Sequence, residues 1–182
     1  AGVASTANTQ KNAVFKMTGG TITGNSGGTA QGAGLYLENS GEHMSTATIS
    51  GGSIVGNTGA SGVYAANANL SISGNPVISG QETNLYLGSN KITLSGSLTN
   101  GAAIGVTTQA NPTDGNPVQI TSTETDTAYY KDAARYFIPD AAHVIAQANE
   151  GKYVELAYTA DNYYKVTLDL SHASATGGAI AM

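Results

Sequence analysis

The chain has 182 residues, a formal net charge of -5 and only 10% charged side chains, with 24 glycines and no cysteine. An acidic balance with no cluster of Lys and Arg argues against binding to nucleic acid or an anionic membrane. The missing cysteines exclude disulfides, a thiol nucleophile and thiolate metal sites. No apolar run approaches the roughly 18 residues of a membrane span, so no membrane insertion is expected.

Residues 1–12 read as a lead-in: no basic stretch followed by an apolar core opens the chain, which reads as a module of something longer. A repeat then begins. Met17–Asn25 reads MTGGTITGN and returns at Ile49–Asn57 as ISGGSIVGN; weaker copies are Ile72–Gly80, ISGNPVISG, and Leu94–Gly101, LSGSLTNG. The anchoring Gly19, Gly51, Gly74 and Gly96 are spaced by 32, 23 and 22 residues, the first step lengthened by polar stretches around Ser26 to Gln31 and Ser40 to Ser45. A second motif follows each copy: Gly34–Leu37 (GLYL), Gly62–Ala65 (GVYA), Asn84–Leu87 (NLYL) and the degraded Ala103–Val106 (AIGV).

Alternation at a period of two assigns faces. One inward column holds Phe15/Met17, Ala47/Ile49, Leu70/Ile72 and Ile92/Leu94. A second holds Ile22, Ile54, Val77 and Leu98, and a third Leu35/Leu37, Val63/Ala65, Leu85/Leu87 and Ile104/Val106. A helix is disfavoured, because each segment contains glycine, which costs about 1 kcal/mol in a helix interior. Glycine pairs at 19–20 and 51–52 suit corners of positive φ. Asn25, Asn57 and Asn100 recur near a corner, where stacked amides could form a ladder. The expected fold is therefore all-β: a right-handed parallel β-helix of four to five coils over residues 13–122, each coil too small to stand without its neighbours.

Residues 123–182 differ. Thirteen of the nineteen charged residues lie from Asp114 onward, with seven of the ten tyrosines, after a turn-rich boundary at 111–117. A strand is expected at Val118–Thr121, a short helix over Asp126–Phe137, and strands at Tyr153–Tyr158 and Tyr163–Leu170 separated by a hairpin turn at 159–162. This third is expected to cap the solenoid or to link it to a following domain.

The glycine-anchored copies followed by Gly-Leu/Val-Tyr resemble the right-handed β-helix repeats of large adhesin-like surface proteins of gut Firmicutes. The region from Tyr129 to Leu156, with its Ala134–Asp140 (ARYFIPD), is similar to the segment that often closes such arrays. The resemblance spans residues 13–158. It implies an extracellular, cell-surface location and contact with a host or environmental glycan or a surface protein, and it brings no catalytic motif or cofactor.

Gly24–Gly28 (GNSGG) matches a nucleophile elbow as a string, but an elbow needs a strand before it, a helix after it and a histidine partner. His43, His143 and His172 show no metal-ligand spacing. Glu38, Glu42 and Glu82 occupy unlike repeat positions, so a carboxylate pair for polysaccharide cleavage would need Asp114, Glu124 or Asp126 to fold back. The threonine pairs 21/23, 46/48 and 121/123 do not share one repeat position, so they make no flat ice-binding array. Tyr36, Tyr64 and Tyr86 do share one, and alternation turns them outward. They form either a self-stacking ladder that stiffens the sheet or an aromatic platform for a sugar or protein. The reading is a non-catalytic adhesin or stalk module without cofactor or metal; the alternative is a fragment of a β-helix carbohydrate-active enzyme, which should carry a cleft with paired carboxylates.

Overall fold

A computed structural model describes residues 3–6, 12–39, 42–123 and 127–158. In chain order the strands are β1 (Val3–Thr6), β2 (Ala13–Thr23), β3 (Leu35–Glu38), β4 (Ser45–Val55), β5 (Val63–Ala65), β6 (Asn69–Gly74) and β7 (Val77–Ser79). They continue with β8 (Leu85–Leu87), β9 (Ile92–Leu98), β10 (Ala103–Thr108), β11 (Val118–Gln119), β12 (Phe137–Pro139), β13 (His143–Ala148) and β14 (Tyr153–Tyr158). The chain is mostly β. A large parallel sheet holds β1 to β10 and β12, and a small antiparallel one holds β11, β14 and β13.

The parallel sheet is built of like residues over like. In one ladder Phe15, Ala47, Leu70 and Ile92 pair in succession, and Met17, Ile49, Ile72 and Leu94 run beside them. In another, Leu35, Val63, Leu85 and Val106 pair in the same way, at spacings of 28, 22 and 21 residues. A one-residue slip would turn every inward aliphatic outward, so the hydrophobic pattern fixes this register. Leu35, Leu37, Ile49, Leu70, Ile72, Leu85, Leu87 and Ile92 are fully buried and form one cluster.

The middle column corrects the sequence reading. Its members are Ile22, Ile54, Ile78 and Ile104, not Val77 and Leu98. Ile54 follows Ile49 by five residues, whereas Gly74, Asn75 and Pro76 place Ile78 six after Ile72; one extra residue inverts the faces. Leu98 is buried, but it pairs with Gly74. Ile104 therefore leaves the third column, where Val106 faces Leu85 and Thr108 faces Leu87. The strand β10 serves two ladders at once, running beside β7 with its first half and beside β8 with its second.

Beyond β10 the chain closes over β9. The expected helix at Asp126–Phe137 is instead two short 3-10 segments, Thr127–Tyr129 and Ala133–Tyr136, while Asp126 itself lies outside the described residues. The buried residues Tyr130, Ala133 and Tyr136 recur every three, the period at which side chains eclipse in a 3-10 helix. Tyr130 is wholly buried and its hydroxyl accepts the Leu94 N–H at 2.9 Å. The expected strand at 118–121 is present as β11 plus a parallel bridge from Thr121 to Ile92. Tyr153–Tyr158 forms β14 as expected, yet its hairpin partner is the preceding β13, joined through the tight turn at Asn149–Gly151. The expected strand Tyr163–Leu170 and its turn at 159–162 lie outside the described residues.

Candidate functional site

Each of Tyr36, Tyr64 and Tyr86 is the middle residue of a Leu-Tyr-Leu-like strand whose flanking residues are buried, so alternation presents the ring on the outer face. Strand pairing places Tyr36 on Tyr64 and Tyr64 on Tyr86. The rings stack, with centroids 5.1 and 5.5 Å apart and planes within 8° and 7° of parallel. All three are half-buried. At one end the next pairing position is Ala4, at the other Thr107.

This geometry decides what the row can offer. Both ring faces of Tyr64 are covered by its neighbours, as is one face each of Tyr36 and Tyr86. A sugar that stacks on an aromatic needs an open ring face, which Tyr64 lacks; along its length the row presents ring edges and hydroxyls. The Tyr36 hydroxyl donates to Glu38 Oε2 at 2.8 Å. Burial, that hydrogen bond and the Glu38 charge together push the Tyr36 phenol up to about 12.

An amide ladder runs behind the row. Asn25 donates from its N–H and side-chain amide to Asn57 Oδ1, at 3.2 and 2.9 Å. Asn57 is buried and donates in turn to the carbonyls of Ile22 and Val55 and to Gln81 Oε1. Gln81 donates to Asn84 Oδ1, and Asn84 donates to Asp140. Asn100, expected as the third rung, is exposed; Gln81 takes that place because the shorter Gly80 corner brings it over Asn57. The sequence signal for Gln81 and Asn84 was present in the polar run just before Leu85, but it lacks the Gly-Asn spelling of the first two corners.

The other candidates scatter. Glu38 is taken by Tyr36, Glu42 and Glu82 are exposed, and Asp114 lies in the exposed turn before β11. Glu124, Asp126 and His172 lie outside the described residues. Ser26 sits in a corner, paired through its backbone with Thr58. His43 is half-buried in the loop before β4, and His143 opens β13 with its Nδ1 buried and unpartnered. Glu155 on β14 is held above the ordinary carboxylate range by burial. Among the described residues no three His, Asp or Glu side chains gather where a metal could sit, and no helix is long and apolar enough to cross a membrane.

No family model matches the chain, and neither a curated protein nor a solved structure matches it.

Proposed function

We propose that the chain is a non-catalytic module of an exported bacterial surface protein, wound as a right-handed parallel β-helix and acting as an adhesin or stalk segment that contacts a glycan or surface protein. The in-register ladders and the shared Asn25–Asn57–Gln81 network support the winding: successive repeats lie over one another and hold their corners by the same amides. Residues 127–158 serve as its cap, with Tyr130 beneath β9 and β12 extending β10.

The observation that carries the contact function is the row of Tyr36, Tyr64 and Tyr86 on an outer face. It is a rigid comb of hydroxyls at near-constant spacing, ordered before any ligand arrives, which lowers the entropic cost of association. Binding of the intact chain to a glycan array and to immobilised host surface proteins tests it, in parallel with two triple variants. Changing all three tyrosines to Phe keeps the stack and removes the hydroxyls, while changing them to Ala removes both. Loss of capture in both variants supports the reading; capture unaltered in either one refutes the role of the row.

A further inference from the structure

Outside the stacked row, Tyr129 is an exposed aromatic, and it borders a cleft between the end of β9 and the two 3-10 segments. The cleft measures about 160 Å³. Pockets that enclose drug-sized ligands run to roughly 300–1,000 Å³, so this one suits a single small ring rather than an oligomer.

Its floor is the buried Leu98, Ala133 and Tyr136, and its rim carries Ser97, Asp132 and Arg135 with Tyr129. Arg135 is fixed in place: its guanidinium carbon lies 4.8 Å from the Tyr136 ring centroid and Nη2 donates to the Tyr136 hydroxyl at 2.8 Å. That leaves the remaining guanidinium N–H groups for another acceptor. The Asp132 side chain is exposed at the rim. A carboxylate, the free N–H groups of a guanidinium, a serine hydroxyl and an exposed tyrosine thus line one small volume.

We infer that this cleft is a binding site for one uncharged pyranose ring, the terminal or branching sugar of a glycan. The chemistry of a pyranose uses every part of it. Its C–H face lies against the Tyr129 ring, a vicinal hydroxyl pair donates to Asp132, and a hydroxyl or ring oxygen accepts from Arg135. An inorganic anion would meet Arg135 but be repelled by Asp132, and an apolar ligand would leave both charges without partners. The inference rests on the glycan reading proposed above but places the sugar on the cap rather than on the tyrosine row.

The test is chemical-shift mapping on the isotope-labelled full chain during titration with neutral monosaccharides, namely glucose, galactose, mannose and their N-acetylated amines. The expected result is saturable shifts at Ser97, Tyr129, Asp132 and Arg135 for at least one sugar. Asp132→Asn should weaken that binding by about tenfold, the loss of one charge-assisted hydrogen bond, with an unchanged melting temperature because the exposed Asp132 side chain makes no cap hydrogen bond. The triple Tyr-to-Phe variant should leave the shifts at the cleft in place, whatever it does to capture on the array. Shifts confined to the row and abolished in that variant would overturn the cleft while leaving the row standing. Capture of glycans on the array without monosaccharide shifts at the cleft would also overturn it. Silence in both the array and the titration would remove both proposals.

Discussion

Asp140 holds Asn84 by both of its donors, although 56 residues separate them: the Asn84 N–H reaches Oδ2 at 2.8 Å and the side-chain amide reaches Oδ1. The Thr107 hydroxyl adds a third donor to the same carboxylate at 2.9 Å. A single charged side chain from beyond the repeats thus terminates a chain of amides that begins at Asn25.

Replacing Asp140 with Ala leaves three partly buried donors without their acceptor. Each unsatisfied donor costs about 1–3 kcal/mol where water cannot substitute, and partial hydration here puts the total near the low end of their sum, about 3 kcal/mol. Asp140→Asn, which retains one acceptor oxygen, should lose less. Thermal melts of both variants check the order, and hydrogen exchange should accelerate first at Asn84.

Gly20 and Gly52 occupy equivalent corners, with φ of +83° and +86°, but only one is enclosed. A Cβ on Gly20 meets nothing within 4 Å, whereas one on Gly52 would lie 2.6 Å from Met17 Cε and 2.8 Å from the Gly20 carbonyl oxygen. Gly20→Ala should cost only the left-handed conformation, about 1–2 kcal/mol. Gly52→Ala should cost distinctly more, by a further 1–3 kcal/mol or so for overpacking. Chemical denaturation of the two variants compares them directly, and equal losses would contradict the stacking of repeat upon repeat.

Tyr130→Phe removes the acceptor of the Leu94 N–H while leaving the ring in place. That hydrogen bond is buried, so the loss should be about 1–3 kcal/mol. Exchange at the Leu94 amide is the specific readout.

The phenol of Tyr36, pushed up to about 12 by burial first and by Glu38 second, binds its proton more tightly in the folded chain than in the unfolded one, where the value is near 10. The folded state then holds the extra proton between those two values, so this contribution to stability is complete below pH 10 and falls away as the pH rises to 12. A tyrosinate absorbance titration should show a late-ionising group that vanishes in Tyr36→Phe. In Glu38→Gln it should ionise earlier but still above 10, since burial, the larger cause, remains.

The parallel strands and the outward tyrosines were legible because each depends on a local pattern, alternation at a period of two, repeated at similar spacing. Leu35, Val63 and Leu85 could be aligned on sight, and Tyr36, Tyr64 and Tyr86 followed. Ile78 was hidden by Pro76, since a single added residue in a short corner reverses inside and outside without altering composition. Gln81 was hidden because the ladder selects a side-chain amide in a place, not a residue type, and a glutamine from a shorter corner reaches as far as an asparagine from a longer one. The 3-10 segments were missed because Tyr130, Ala133 and Tyr136 satisfy a period of three as readily as one of 3.6 over so short a stretch. Asp140 and the cleft by Arg135 join residues distant in sequence, and no local spacing announces such a meeting.

The chain contains no tryptophan, so its ultraviolet emission comes from ten tyrosines, three of which are held as a parallel pile. Chromophores this near share their excitation, and the pile exists only while the three paired strands β3, β5 and β8 keep register. Light from the native protein therefore carries a built-in gauge of alignment, one that would change when neighbouring strands slide or part and that needs no attached dye.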